Sequence, residues 1–300
     1  MFQASRTLFL YALSPIHMGA GTAVDVIDNP VQREVHTGHP LLAGSGLKGA
    51  FRNALRVQNV PKERIKVLFG PETTNADAHA GAISISDGQL LLFPVRSMAH
   101  GFVYATSATA LARAARLVSA TDLPFGNLEG PEPGHVMTTH ALGQDDGPLV
   151  LEALALDRQT SQALDDTAQW LAARAVPEGE GHAFFRDKLR KHLVLLSEAD
   201  FGHFLRTGMV VEPHVRIDDQ TGTADDGGLF FTENVPPESV FLTCAMATPS
   251  RHRDDDSTAE KLLGDALGNA DTQGLLGRRL QIGGDATTGR GHVILTAAEG

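Results

Sequence analysis

Cysteine is almost missing from these 300 residues: Cys244 stands alone, so no disulfide can form within the chain. It lies in the apolar stretch Val240-Phe241-Leu242-Thr243-Cys244-Ala245, where it is expected to fill core. Long apolar runs are missing too, since no window approaches the ~18 uninterrupted residues of a membrane span. The run over 7–13 leads into Pro15 and His17 with no small-residue cleavage site, so it reads as a buried first strand rather than a signal peptide. With no targeting signal and no pairable cysteine, a cytoplasmic location without a membrane partner is expected. Positive charge is also scarce: 25 Lys and Arg face 36 Asp and Glu, for a net charge of −11. Nonspecific affinity for nucleic acid comes from cations that neutralise phosphates. This composition therefore excludes a protein that coats nucleic acid through bulk electrostatics. A polyanion would have to be held locally, by backbone amides and a few placed cations, with partners supplying the rest. Fixed-period repeats and low-complexity tracts are absent as well.

What is there alternates between strands and helices. Strands are expected over 7–13, 82–88, 89–95 (closing at Pro94), 149–156, 240–247 and 292–296. Helices are expected over 45–57 (Ser45 as N-cap), 107–119, 161–176 and 184–196, with another beginning at 258. The strongest hairpin signal places arms at 210–217 and 228–231 around the turn-rich 218–227. Polar 70–81 reads as a mobile loop, and Gly/Pro-rich 122–148 as an excursion from the core. The sum is an α+β fold with a mostly antiparallel sheet, in one domain over 1–300 with insertions at about 60–81 and 122–148.

Three stretches carry chemistry. The first, Ser14 to Gly21 and on through Asp25 to Glu34, puts His17, Asp28, Arg33, Glu34, His36 and His39 into one turn-rich segment. Asp28 precedes Asn29-Pro30 in extended or turn backbone and can reach a metal or a ribose hydroxyl. The alternative is an Asx-turn at Asp28 and an ordinary surface histidine at His17. The second, Gly44-Ser45-Gly46-Leu47-Lys48-Gly49-Ala50-Phe51-Arg52, opens a helix whose first-turn amides and dipole suit phosphate. Lys48 and Arg52 lie one turn apart, and Gly46 and Gly49 permit close approach. No Walker pattern is present; the alternative is a plain capped helix. The third, 280–293, holds Gly283, Gly284, Thr287, Thr288, Gly289 and Arg290, a loop able to offer amides and hydroxyls to phosphate or sugar. Its alternative is a glycine-rich hairpin.

Taken in order, these blocks, with His36-Thr37-Gly38-His39-Pro40 and Pro94-Val95-Arg96-Ser97, resemble the RAMP superfamily of CRISPR proteins. They are most similar to the repeated backbone subunits of type III-B (Cmr) effector complexes. The resemblance implies an RRM-like (ferredoxin-like) palm with inserted fingers and a thumb β-hairpin. It implies copies stacked in a filament along guide crRNA, beside other Cmr subunits, and metal-dependent cutting of target RNA at regular intervals. It further implies catalytic roles for Asp28 and His17, with Glu233 of Thr232-Glu233-Asn234-Val235-Pro236-Pro237 nearby. Where the family often has a tyrosine beside that glutamate, this chain has Asn234 and Val235, so no tyrosine role carries over.

Cutting RNA with its own 2′-hydroxyl requires in-line geometry, a proton acceptor and charge beside the phosphorane. Asp28 would hold Mg²⁺ or Mn²⁺; as the base itself an ordinary carboxylate, with a pKa near ~4, is weak at neutral pH. The helix start at Ser45, Gly46, Lys48, Gly49 and Arg52, with the 283–290 loop, would grip guide phosphates whatever their sequence. Two other readings remain at this stage: a structural guide-RNA-binding subunit that does not cut, and a metabolic phosphate-binding enzyme using the 283–291 loop. For so acidic a chain, the isolated subunit is expected to bind RNA weakly and with strong salt dependence, but tightly once flanked by further copies. Titrating labelled RNA against lone and assembled subunits over a salt series checks this, and tight, salt-insensitive binding by the lone subunit contradicts it.

Overall fold

The computed structural model describes residues 1–21, 26–71, 80–118, 123–144, 147–218, 220–268 and 273–298, setting aside the side chains of 225–227. In chain order it runs β1 (Ala4–Ala12), β2 (Leu41–Leu42), α1 (Gly44–Val57), α2 (Lys62–Phe69), β3 (Ile83–Ile85), β4 (Gly88–Ser97), β5 (Gly101–Ser107) and α3 (Ala108–Leu117). Then come β6 (His135–Thr138), β7 (Leu149–Leu151), β8 (Leu154–Thr160), α4 (Gln162–Arg174), α5 (Glu180–Lys191), β9 (Leu193–Leu196) and α6 (Glu198–Thr207). The chain finishes with β10 (Val210–Ile217), β11 (Ala224–Asn234), β12 (Val240–Ala247), α7 (Ala259–Leu267), β13 (Arg279–Gln281) and β14 (His292–Ala297).

An apolar run without alternation demands cover on both faces, and β1 has it. It lies inside the sheet between β12 and β14. Leu8 and Leu10 point into a core with α1, α2, α6 and α7, while Phe9 and Tyr11 point into a second core with α3, α4 and α5. The sheet order is β13-β14-β1-β12-β4-β5-β9-β6-β8-β7. It curls until Leu151 of β7 bridges Ser97 of β4. Apart from the parallel pairs β5–β9 and β6–β8, the strand pairs of the described residues are antiparallel. A mixed α+β fold with a sheet-dominated core results. No described helix is long and apolar enough to cross a membrane.

Several elements depart from the sequence expectation, each for a physical reason. Ser45 is not the N-cap of α1. Ala43 occupies that position without a side-chain cap, and the Gly44 N–H donates to Asp87 Oδ1 at 2.7 Å. A Cβ at Gly44 would meet the Ile85 carbonyl at 2.5 Å, so packing against β3 fixes where the helix begins. Leu47, Phe51 and Leu55 are fully buried along its inner face, each contributing roughly 1.5–3 kcal/mol. Pro94 does not end its strand, because β4 continues through it to Ser97, with Pro94 opposite Tyr104. Residues 149–156 are two strands, joined where Glu152 adopts φ 50°. The helix expected over 184–196 stops at Lys191, and the run Leu193-Val194-Leu195-Leu196 is a fully buried inner strand. From the supposed excursion 122–148, β6 enters the sheet between β9 and β8. Residues 62–69, within the first expected insertion, are helical. The loop expectation over 70–81 falls mostly on 72–79, outside the described residues. Cys244 is half-buried rather than core.

β10 and β11 form a separate two-stranded sheet. Val210 pairs with Asn234 at its base, and the register shifts between Val215 and Ile217. Asp218 closes its tip by accepting from the amides of Gln220 and Thr221 at 2.8 and 2.7 Å.

Where β11 turns back into β12, Glu238 meets the only two tyrosines of the chain. Tyr11 donates to its carboxylate, and the Tyr104 hydroxyl lies 3.4 Å away. Burial pushes the Glu238 carboxyl up to about 7. The folded state thus holds this proton more tightly than the unfolded chain, so its stabilising effect is complete near pH 4 and is lost as pH rises through about 7. Raising the pH from 5 to 8 should cost the native protein about 2–3 kcal/mol of stability that Glu238→Gln does not lose. Urea midpoints at the two pH values measure it; parallel pH profiles for both proteins would rule the mechanism out.

Candidate functional site

Residues 14–20 run as a strap between the base of the hairpin and the glycine loop. On one side, Ile16 and Val235 exchange backbone hydrogen bonds at 2.9 Å each way. The His17 ring also donates from Nδ1 to the Glu233 carbonyl at 2.8 Å. That bond requires the Nδ1 proton, which leaves Nε2 as the nitrogen available to a ligand. On the other side, the Gly284 amide donates to the His17 carbonyl and the Gly291 amide to the Pro15 carbonyl, both at 2.8 Å. Gly283 adopts φ 74°, and a Cβ there would collide with the His17 carbonyl. The third sequence stretch is therefore packed directly upon the first. It connects β13 to β14, so it is the glycine-rich hairpin connection rather than a helix-to-strand loop.

The strap returns through Val31, which bridges Gly19, and Gln32, whose amide donates to the Met18 carbonyl at 2.8 Å. Asp28 is exposed and sits against the outer edge of β11. Its Oδ2 accepts from the Phe231 amide at 2.7 Å, while Asn29 donates to the Phe231 carbonyl and accepts from the Glu233 amide. The side chain therefore caps a strand 203 residues away instead of closing a local Asx-turn.

Glu233 behaves differently. It is 4% exposed, its Oε1 accepts from Arg33 at 2.6 Å and its Oε2 from the Val31 amide at 3.0 Å. The carboxylate is fully engaged, whereas the backbone carbonyl of the same residue steers His17. Sequence reasoning missed Arg33 as the partner because the pair spans 200 positions.

α1 completes the arrangement. Gly46 packs on Met18, with a built Cβ 3.0 Å from its sulfur, whereas Gly49 faces open space. Lys48 is half-buried, and burial, then Arg52 and Arg251, hold its amine below the usual lysine range. Among the described residues Arg52 donates to the Pro71 carbonyl, at 3.4 Å. Met18, Gly46, Asn53, Gln281 and Gly283 line a cleft of about 380 Å³ where the three stretches meet. Asn53 and Gln281 were not singled out from sequence, although Asn53 continues the Gly46–Gly49 line by one helical turn. The loop at 283–289 is exposed, with Asp285 in the left-handed region and Ala286–Thr288 as a 3-10 turn. The Thr288 hydroxyl donates to the Asp285 carbonyl at 2.9 Å, while Thr287 stays exposed. Arg290 forms an ion pair with Glu212 of β10, tying the glycine loop to the hairpin. Removing one partner of a buried pair leaves an uncompensated charge. Arg33→Met should accordingly cost about 3 kcal/mol or more in urea unfolding, with Glu233→Gln restoring part of it in that background; a loss under about 1 kcal/mol would contradict the buried-pair account.

Comparison with known proteins places the fold in a family. The family model of the RAMP superfamily matches residues 9–294. The CRISPR system Cmr endoribonuclease Cmr4 of Pyrococcus furiosus is 32% identical over 295 residues, covering 97% of this chain and 94% of the relative. The crystal structure of oligomeric Cmr4 from Pyrococcus furiosus superposes with a TM-score of 0.70 at 26% identity, covering 98% of each chain. A chain from the type III-B Cmr-beta complex bound to cognate target RNA shares the fold, with a TM-score of 0.73 at 18% identity over 99% of this chain and 98% of that one. The chain belongs to the RAMP superfamily and is a relative of the Cmr4 endoribonucleases.

Proposed function

We propose that this protein is the backbone subunit of a type III-B CRISPR ribonucleoprotein, holding guide crRNA along a filament of its own copies and cutting complementary target RNA. The observation that carries the reading is the placement of Asp28. It is an exposed carboxylate fastened to the hairpin base through Phe231, two residues from the Glu233 carbonyl that orients His17. In this reading the large sheet is the RRM-like palm and β10–β11 is the thumb, with other Cmr subunits at the filament ends.

The division of work follows from the side chains. The α1 start at Ser45, Gly46 and Gly49, with Lys48, Arg52 and the loop at Gly283, Gly284, Thr287, Thr288 and Gly289, holds the guide backbone, whose sequence is read by base pairing alone. Arg290 acts through Glu212, by fixing the loop to the thumb. His17, with Nδ1 committed to a carbonyl, presents Nε2 for proton transfer with the reacting hydroxyl or leaving oxygen. Glu233 serves as a positioning residue. Among the described residues no cluster of three His, Cys, Asp or Glu is set to enclose a cation. Asp28 is a single exposed carboxylate, which suits Mg²⁺ or Mn²⁺ that keeps waters and phosphate oxygens as its other ligands. Bound there, such an ion would supply positive charge for the phosphorane.

Asp28→Asn keeps the acceptor for the Phe231 amide and removes the charge. It should lower target cutting by at least ~10²-fold in single-turnover assays, with guide and target binding unchanged. Cutting at the native rate would make Asp28 a structural residue and remove its catalytic role.

A further inference from the structure

The outer side of α1 holds a second concavity, of which the functional reading uses only Gly49 and Arg52. α1 and α2 diverge around a groove of about 620 Å³ lined by Arg52, Arg56, Lys62 and Lys66, together with Gly49 and Asn53. Lys48, Arg52 and Arg56 follow each other at four-residue steps, about 6 Å apart along the helix. α2 sorts its charges by face. Arg64 turns away to Asp255 and Asp265, and Ile65 and Leu68 enter the core, so Lys62 and Lys66 are left to the groove. The cations there meet little negative charge: Arg56 bonds the Asn53 side chain, Arg52 a carbonyl, and Lys66 alone an exposed carboxylate, Glu63, at 2.7 Å. No carboxylate lines the groove among the described residues. It is also continuous with the cleft at the glycine loop, because Asn53 lines both.

We propose that this groove is a phosphodiester site, and that a single RNA strand leaving the cleft at Gly46 and Gly283 continues across α1 with its phosphates on Arg56, Lys62 and Lys66. An open trough with cations in a row, Ile65 as its one apolar lining residue and no carboxylate among the described lining residues suits a repeating anion more than a folded acidic surface. The inference rests on the reading that the neighbouring cleft holds the guide.

The test uses the full chain assembled on a synthetic single-stranded RNA, with binding followed over a KCl series. All three side chains are at the surface, so Arg56→Gln/Lys62→Gln/Lys66→Gln leaves the core untouched. Losing three phosphate contacts should make the slope of log affinity against log salt shallower by about 2. Lys48→Gln, measured in parallel, reports on the cleft. An unchanged slope for the triple variant beside a shallower one for Lys48→Gln overturns the groove and spares the guide reading. Unchanged slopes for both overturn the two together. A triple variant that loses self-association in RNA-free sedimentation while keeping the native slope makes the groove a protein contact, which also overturns the proposal.

Discussion

Burying Glu233 at 4% exposure obliges the surrounding chain to neutralise it, and the way this is done organises the site. Arg33 supplies the charge, and the same guanidinium donates to the Gly38 and Leu205 carbonyls at 2.9 and 3.1 Å. The Val31 amide supplies the second bond. One carboxylate thus joins the end of β11, the returning strap and α6. Positions 28 and 29 are drawn along the outer edge of β11 as a consequence, and His17 is drawn to the carbonyl of the same glutamate. A charge hidden from water makes these attachments hard to loosen one at a time, since each loss strands the remainder.

Two carboxylates of one neighbourhood are in this way given unlike tasks by environment alone. Glu233 is surrounded and ion-paired, so it is a structural anion. Asp28 keeps one oxygen on a backbone amide and remains exposed, so it is held in place yet accessible. Rigidity with access is what a group facing a bent RNA strand needs, because reacting atoms must be held within a few tenths of an ångström.

Local signals in the sequence marked much of the fold. β12 was legible because its apolar run is bounded by turns; α3 and α7 were legible as helices too, and the structure shows Ser107 and Thr258 capping them. α6 carried a readable box as well, Ser197 accepting from Asp200, and was overlooked beside a stronger apolar run. β9 was lost to helix because Leu193–Leu196 follow α5 directly, and a four-residue apolar run has no period of its own. At the site, the strap, the α1 start and the glycine loop were each visible as motifs. Their mutual contacts were not, since Gly284 reaches His17 and Arg290 reaches Glu212 across long stretches of chain. Glycines expected to admit a ligand are also divided in use: Gly46 and Gly283 admit other parts of the protein, and Gly49 alone of α1 is left open.

The charge balance resolves in the same local manner. A net −11 describes the whole chain, but fields between exposed charges fade over a Debye length of about 8 Å at physiological salt. Several acids are already matched where they lie: Glu34 by Arg113, Asp255 and Asp265 by Arg64, Glu212 by Arg290. These pairs remove as much positive as negative charge from their own surroundings and leave no strong field behind. Among the described residues no such matching occurs along α1 and the near face of α2, apart from the exposed Lys66–Glu63 contact, which is worth under ~1 kcal/mol. The chain can therefore be acidic in sum and cationic along one helix. An anion arriving there meets the helix and not the total.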